Sequence, residues 1–189
     1  MTFDQLSLIA LGANMPLEGK TPQVVLRRAL AVLADRGVVV EAFSGLYHTP
    51  CFPPGAGPDY VNATAALRSN LSPGGLLDLL HEVEKTFGRE RLDRWGTRTL
   101  DLDLLAVDDL VLPDDSTLRR WIDLPADQQR IQAPDRLILP HPRMQDRAFV
   151  LVPLQDIAPG WMHPVLKKTV AQMCAALPQP DRDSVVAMT

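Results

Sequence analysis

The stretch from Thr99 to Leu104 alternates residue by residue between polar side chains and leucine. Successive side chains of a β-strand point to opposite faces, so this pattern predicts a strand, over 98–107, that is covered on one face only. The three leucines then face a core, while Thr99, Asp101 and Asp103 share the second face. A sheet with one polar, accessible face is therefore expected.

The apolar patterns elsewhere change between strand and helix periods along the chain. Two helices are predicted to begin where a hydroxyl N-cap precedes a proline, at Thr21-Pro22 and at Ser72-Pro73. Strands are predicted at 5–11, 38–47, 60–67 and 98–107. The resulting order, β-α-β-β-α-β, is typical of ferredoxin-like sheets. We predict an α+β fold, with a mainly antiparallel sheet, helices packed on one face and the other face free for a site.

The remaining segments give weaker signals. Residues 108–136 are polar and contain prolines, which predicts a surface excursion with one short helix around 116–122. Residues 147–152 are rich in apolar and β-branched side chains and are predicted as a strand. The C-terminal extension, 165–189, is predicted to hold a helix at 167–176 and then to fray. No repeat or long linker is evident, so the 189 residues are predicted to form a single domain.

Composition excludes several classes of protein. The formal net charge of −4, the pI of about 5.5 and the aromatic content of 5% argue against a nucleic-acid binder, including an RNA-binding sheet. The two cysteines, Cys51 and Cys174, lack metal-site spacing and indicate a reduced, cytoplasmic protein. No basic signal peptide and no apolar run of bilayer length is evident, so no membrane association is expected. Since no apolar interface stripe is obvious, a monomer is expected.

Two carboxylates on the predicted polar face are candidate metal ligands. Asp101 and Asp103 would stand about 6.5 Å apart along a strand, and at an effective dielectric near 20 they would repel by about 2–3 kcal/mol. A hard cation such as Mg²⁺ removes this cost. Carboxylates next to guanidinium groups are typical of phosphoryl transfer. The arginines immediately upstream are Arg89, Arg91, Arg94 and Arg98. Alone, an Asp-x-Asp pair also fits an ordinary solvated strand.

The segment Gly12–Thr21 provides a rival phosphate site. It lies between a strand and a helix and ends in Gly-Lys-Thr, like a P-loop. However, a P-loop has four residues between its glycines and this segment has six. Pro16 has no N–H to donate, and Glu18 would repel phosphate. A P-loop-like ATPase or kinase that depends on Lys20 is therefore kept as the alternative hypothesis.

Several motifs, in this order, make the sequence resemble a known family. They are Leu11-Gly12-Ala13-Asn14, Tyr47-His48-Thr49-Pro50, Pro58-Asp59-Tyr60-Val61-Asn62-Ala63, Glu82-Val83-Glu84 through Gly88-Arg89-Glu90-Arg91, the run from Arg94 to Asp103, Leu139-Pro140-His141-Pro142 and Arg147-Ala148-Phe149-Val150-Leu151. From about Ile9 to Pro159 the chain resembles the 6-hydroxymethyl-7,8-dihydropterin pyrophosphokinases of folate biosynthesis. The resemblance implies that the pterin hydroxymethyl oxygen attacks the β-phosphorus of ATP and that AMP leaves. It also implies two Mg²⁺ ions.

The resemblance assigns roles to individual residues. It implies catalytic roles for Arg89, Arg98, Asp101 and Asp103, of which Asp101 and Asp103 are also the metal ligands. It implies ATP contacts for His81, Glu84, Arg89, Arg91, Arg98, Arg136, His141 and Arg147. It implies pterin contacts for Thr49, Pro50, Phe52, Tyr60, Asn62, Trp95 and Phe149. A flat heteroaromatic ring needs aromatic faces and an amide that both donates and accepts, which fits this last set. Without the resemblance, core packing would be the default for its aromatic residues.

Overall fold

The computed structural model describes residues 5–51, 57–88 and 99–189. Its strands are Gln5–Ala13 (β1), Val39–Phe43 (β2), Tyr47–Thr49 (β3), Tyr60–Ser69 (β4), Asp101–Val107 (β5) and Val186–Ala187 (β6). Its helices are Pro22–Asp35 (α1), Pro73–Thr86 (α2), Asp115–Ile122 (α3), Ala126–Ile131 (α4), Ala148–Ile157 (α5), Val170–Ala176 (α6) and Gln179–Asp183 (α7), with a 3-10 turn at Met144–Asp146.

The strands form one sheet in the order β5-β1-β4-β3-β6, and β2 pairs with the other half of β4. All recorded pairings are antiparallel. The predicted α+β class with a mainly antiparallel sheet is confirmed. The first two predicted helices are also present, each beginning with proline after a hydroxyl residue, and Ser72 Oγ accepts a hydrogen bond from Gly75 N at 3.1 Å.

One face of the sheet holds the main core. Ile9 and Leu11 of β1 and Leu102 and Leu104 of β5 are buried there against the apolar faces of α1 and α2. Leu100 is also fully buried, so the leucines of the alternating segment face the core as predicted. A bulge in β5, where the register with β1 shifts between Leu8 and Ile9, ends this alternation beyond Leu104.

The opposite face is only partly free, which corrects the prediction of an open face. Leu8 and Ala10 of β1, Ala66 of β4 and Leu105 of β5 form a second buried cluster with α5 and α6. This cluster covers one end of the face. Asp101 and Asp103, at the other end of β5, stay partly exposed, so the C-terminal helices leave the candidate metal residues accessible.

The strand predicted at 147–152 is wrong, because this segment begins helix α5. Its β-branched residues suggested a strand, yet Val150, Leu151 and Leu154 lie on one side of a helix and are fully buried in the second cluster. Burial of this helical stripe against the sheet outweighs the local strand preference. Pro153 lies within the helix and is buried.

The strand predicted at 38–47 is interrupted. Ser44 replaces part of the backbone ladder with its side chain, because Thr64 N donates to Ser44 Oγ at 2.9 Å while Ser44 N donates to Thr64 O at 3.0 Å. Gly45 N donates instead to Asp156 Oδ2 of α5 at 3.0 Å. The break therefore divides the predicted strand into β2 and β3.

The excursion and the C-terminal extension are both more ordered than expected. In the excursion, α3 includes the predicted short helix and buries Leu118 against Ile138 and Val165. The extension forms two helices and then returns to the sheet as β6, which pairs with β3 instead of fraying. Within the ranges that the structure describes, no helix is long and apolar enough to cross a membrane.

Candidate functional site

Four residues from four neighbouring strands form a row across the partly open face of the sheet. Asp101 of β5 pairs with Gly12 of β1, Gly12 pairs with Asn62 of β4, and Asn62 pairs with Tyr47 of β3. Neighbouring strands lie about 4.8 Å apart, so the backbones of Asp101 and Asn62 are separated by about 10 Å. The sheet thus brings a predicted metal ligand close to a predicted pterin residue.

Gly12 is required by the close packing of this row. A Cβ atom at this position would lie 2.9 Å from Asn62 Oδ1. Asn62 has little freedom to move, because it is 7% exposed and its Nδ2 donates to Thr49 Oγ1 at 2.6 Å. The glycine therefore lets the Asn62 amide lie across β1 and point along the face of the sheet.

Asp103 contacts a basic group from the start of α5. Arg147 Nη1 lies 3.3 Å from Asp103 Oδ2, and both side chains are about one-third exposed. The guanidinium carbon of Arg147 also lies 5.6 Å from the centroid of the Phe149 ring. Arg147 thus connects a predicted metal ligand with a predicted pterin residue, and its charge offsets part of the repulsion expected between the two aspartates.

His141 is held beside this ion pair by two backbone contacts. His141 N donates to Leu105 O at 2.7 Å, and Arg143 N donates to His141 Nδ1 at 3.1 Å. Burial, assisted by the nearby charges of Arg147 and Arg143 and opposed by Asp103, lowers the pKa of His141 to about 4. The imidazole is therefore neutral at pH 7, and because Nδ1 accepts, its proton lies on Nε2.

Glu84 lies beneath the site. It is 1% exposed, and its Oε1 accepts a hydrogen bond from Leu102 N at 2.7 Å. Because Leu102 lies between the two aspartates, Glu84 fixes the backbone that carries them. This placement gives Glu84 a positioning role, and the ATP contact that the resemblance implies stays a prediction.

Asp59 contacts both β3 and the residue that follows Pro50. Asp59 Oδ1 accepts from Cys51 N at 3.0 Å, and Asp59 Oδ2 lies 3.2 Å from His48 Nε2. Thr49 is buried next to Asn62, Pro50 is exposed, and Tyr60 pairs with Thr49 across the ladder. Thr49, Tyr60 and Asn62 therefore lie together, and their contact with a pterin stays a prediction.

A cavity of about 610 Å³ opens beside Asp103. Of the predicted site residues, Asp103, Arg136, His141 and Arg147 line it, whereas His81 and Glu84 are not among its described lining residues. Arg136 makes an exposed ion pair with Asp135, at 3.1 Å between Nε and Oδ1. The cavity also has an apolar wall of Leu77, Leu104, Trp121 and Ile138.

Some predicted residues lie outside the part of the chain that the structure describes. They are Phe52, Arg89, Arg91, Arg94, Trp95 and Arg98. Conversely, sequence reasoning missed Trp121, Gln129, Gln132 and Arg143, all of which line the cavity. The proximity of Arg143 to His141 in sequence was an available signal, whereas nothing local indicated where the excursion would dock.

The rival P-loop segment does not form a phosphate cradle. Leu17 and Lys20 exchange both backbone hydrogen bonds, at 3.0 and 2.9 Å, around a tight turn. Glu18 and Gly19 both have positive φ, at 50° and 75°, so this turn is of the I′ kind. The N–H groups of Leu17 and Lys20 thus already donate hydrogen bonds within the turn. In addition, β1 lies in an antiparallel sheet, whereas the sheet of a P-loop NTPase is parallel.

Comparisons with known proteins point to one family. The family model "7,8-dihydro-6-hydroxymethylpterin-pyrophosphokinase (HPPK)" matches residues 8–159. The 2-amino-4-hydroxy-6-hydroxymethyldihydropteridine pyrophosphokinase of Synechocystis sp. is 42% identical over 165 residues, which cover 86% of this chain and 74% of the relative. The protein of the same name from Pseudomonas aeruginosa is 40% identical over 151 residues, 80% of this chain and 79% of the relative.

A solved structure also shares the fold. Wild-type HPPK-DHPS of Plasmodium falciparum superposes with a TM-score of 0.65 at 13% identity. The match covers 93% of this chain but 45% of that one, so this chain corresponds to less than half the length of that chain.

Proposed function

Because the chain belongs to the 7,8-dihydro-6-hydroxymethylpterin-pyrophosphokinase family, we propose that it transfers pyrophosphate from ATP to the hydroxymethyl group of 6-hydroxymethyl-7,8-dihydropterin. The products are AMP and the pterin diphosphate, for folate biosynthesis. The observation that supports this proposal is the row from Asp101 through Gly12 to Asn62. In this row the proposed metal ligand and the proposed pterin residue lie on one face of the sheet, separated by a single strand.

Mg²⁺ is the metal that fits the donor set. Asp101 and Asp103 offer oxygen ligands from one partly exposed face, and Mg²⁺ is typically bound by one or two carboxylates together with substrate phosphates. Among the described residues no group of three or more His, Cys, Asp or Glu side chains could hold a metal, so phosphate oxygens would complete the coordination. When bound, Mg²⁺ neutralises phosphate charge, and we expect two ions.

The residues around Asp103 would hold the triphosphate. The guanidinium of Arg147 lies 3.3 Å from Asp103 and would bind phosphate oxygens there, while Asp103 would hold the metal ion. His141 is neutral and has its proton on Nε2, so this nitrogen would donate a hydrogen bond to a phosphate oxygen without adding charge. Positioning and charge stabilisation of this kind dominate phosphoryl-type transfer. We further propose that Arg89, Arg91, Arg98, His81 and Arg136 contact the nucleotide.

The other end of the row would hold the pterin. Asn62 both donates and accepts and so suits the amide-like edge of the ring, while Thr49 fixes the Asn62 rotamer through the 2.6 Å bond. Tyr60, Pro50 and the 38%-exposed Phe149 provide apolar faces. Phe52 and Trp95 are proposed to complete the ring site. A monomeric, cytoplasmic protein without nucleic-acid or membrane partners stays our prediction.

Product identity tests the proposal. The protein is mixed with ATP, Mg²⁺ and 6-hydroxymethyl-7,8-dihydropterin, and the nucleotides are separated by chromatography. We expect AMP, formed only when the pterin is present. Formation of ADP, or of AMP without pterin, would contradict the proposed reaction.

A further inference from the structure

Residues of the excursion, 108–136, form part of the wall of the cavity beside Asp103. Asp114 caps α3, since its Oδ1 accepts from Thr117 N at 2.9 Å, and Leu118 is fully buried against Ile138 and Val165. Trp121 follows Leu118 by three residues, so it lies on the same side of the helix. Its ring packs against this small cluster and also lines the cavity.

The second helix of the excursion is attached to the loop that carries His141. Arg143 Nη2 donates to Gln129 O at 2.7 Å, and Gln129 Nε2 donates to Leu124 O at 2.6 Å. Because Arg143 N also bonds His141 Nδ1, one loop positions both α4 and the histidine. The excursion is therefore held against the cavity at two points, one apolar and one polar.

The walls of the cavity divide into two kinds of chemistry. Asp103, His141 and Arg147 are charged or polar and suit a triphosphate with its metal. Leu104, Ile138 and Trp121 are apolar, and a partly exposed indole ring in such a wall suits a planar heteroaromatic ring. About 610 Å³ lies within the usual size of small-ligand pockets.

On this basis, which rests on the proposed function, we propose that Trp121 packs against the nucleotide base, so that the excursion contributes directly to ATP affinity. The ligand part recognised is the planar base rather than the phosphates. Trp121 is then a binding residue provided by a segment that lies outside the sheet and helices of the predicted β-α-β-β-α-β core.

The test compares two probes on the full chain with Mg²⁺. The first is α,β-methylene-ATP, which resists cleavage at the reacting bond, and the second is inorganic tripolyphosphate, which lacks a base. Titration calorimetry of Trp121→Ala should show a dissociation constant for the ATP analogue about tenfold higher than that of the parent protein, while tripolyphosphate binding is unchanged. Trp121→Phe, which keeps an aromatic face, should stay within about threefold.

A matched control is Ile131→Ala, because Ile131 is a 68%-exposed apolar residue of the excursion that is not among the described lining residues of the cavity. It should bind both probes normally. Unchanged analogue binding by Trp121→Ala, or an equal loss of both probes, would overturn the role of Trp121 and leave the proposed reaction intact. Failure of the parent protein to bind the ATP analogue at all would overturn both.

Discussion

The carboxylate of Glu84 accepts a hydrogen bond from Leu102 N at 2.7 Å, at the peptide between the two candidate metal ligands. Glu84 belongs to α2 and is 1% exposed, so the helix holds the strand from its buried side. The two aspartates therefore project from a backbone that is fixed before any substrate binds. Such preorganisation is what positioning of a metal and a triphosphate requires.

Removing the Glu84 acceptor should destabilise the fold. In Glu84→Ala the buried Leu102 N–H has lost this partner, which costs about 1–3 kcal/mol of unfolding free energy. Glu84→Gln keeps a carbonyl oxygen and should lose less. Urea denaturation measures both. The control is Glu82→Ala on the same helix, where an exposed pair with Arg36 at 3.4 Å contributes under about 1 kcal/mol. Equal stability of Glu84→Ala and the parent protein would contradict the positioning role.

Asp101→Ala and Asp103→Ala should each lower kcat more than about a hundredfold, because each removes a proposed metal ligand. The fold should survive, and for Asp103→Ala we expect a stability change of about 1 kcal/mol or less, since its ion pair with Arg147 is partly exposed. Steady-state AMP formation and thermal melting are the measurements. Asp109→Ala, an exposed aspartate just after β5, is the control and should be active. Near-normal turnover in both variants would contradict the proposal that Asp101 and Asp103 bind the metal ion.

Gly12→Ala should weaken pterin binding selectively. The new Cβ would lie 2.9 Å from Asn62 Oδ1 and would push the amide away from its Thr49 partner. We expect at least about a tenfold rise in the dissociation constant for the pterin and little change for an ATP analogue. Calorimetry on the folded variant measures both constants. Gly160→Ala is the matched control, because a Cβ there meets nothing within 4 Å. An equal loss of affinity for the pterin and for the ATP analogue would instead indicate that the substitution disrupts the whole site.

Stability should depend on pH through His163. This residue is fully buried, its Nδ1 accepts from Val165 N and Leu166 N at 3.2 Å each, and burial lowers its pKa to about 4. Between pH 6.5 and 4 the imidazole of His163 is protonated in the unfolded chain but stays neutral in the folded chain. The contribution of neutral His163 to the free energy of unfolding is therefore complete above pH 6.5. It is lost as the pH falls towards 4, and the loss is up to about 3 kcal/mol.

Urea denaturation at pH 7.5 and pH 4.5 measures this dependence. His163→Gln should show a smaller difference between the two pH values, whatever its absolute stability. The variant should keep some dependence, because the lowered pKa of His141 acts in the same direction and the same window. An identical pH dependence in the parent protein and the variant would exclude the proposed role of His163.

Lys20→Ala should have almost no effect on enzymatic activity. Lys20 lies in a tight turn, and its ammonium group is 3.9 Å from Glu18 in an exposed pair, so its loss should leave the rate of AMP formation within about twofold. The rival P-loop hypothesis predicts inactivation by the same change. The steady-state rate, measured beside that of Asp101→Ala, separates the two hypotheses.

Local periodicity was sufficient to predict the helices that begin at Pro22 and Pro73 and the alternation that directs Asp101 and Asp103 away from the core. It failed at 147–152, where Val150 and Leu151 favour a strand locally but are buried as part of a helix by contacts with distant strands. It could not place Trp121 in the cavity, because the docking of α3 depends on contacts between Leu118 and residues far along the chain.

The fate of the β-phosphorus tests the central claim most directly. ATP labelled with ³²P at the β position is incubated with the protein, Mg²⁺ and 6-hydroxymethyl-7,8-dihydropterin, and the products are separated. Transfer of a pyrophosphoryl group places the label in the pterin product and leaves AMP unlabelled, and Asp101→Ala should abolish this transfer. Label that stays with the nucleotide as ADP would contradict the account, since it would show cleavage at the γ-phosphate instead.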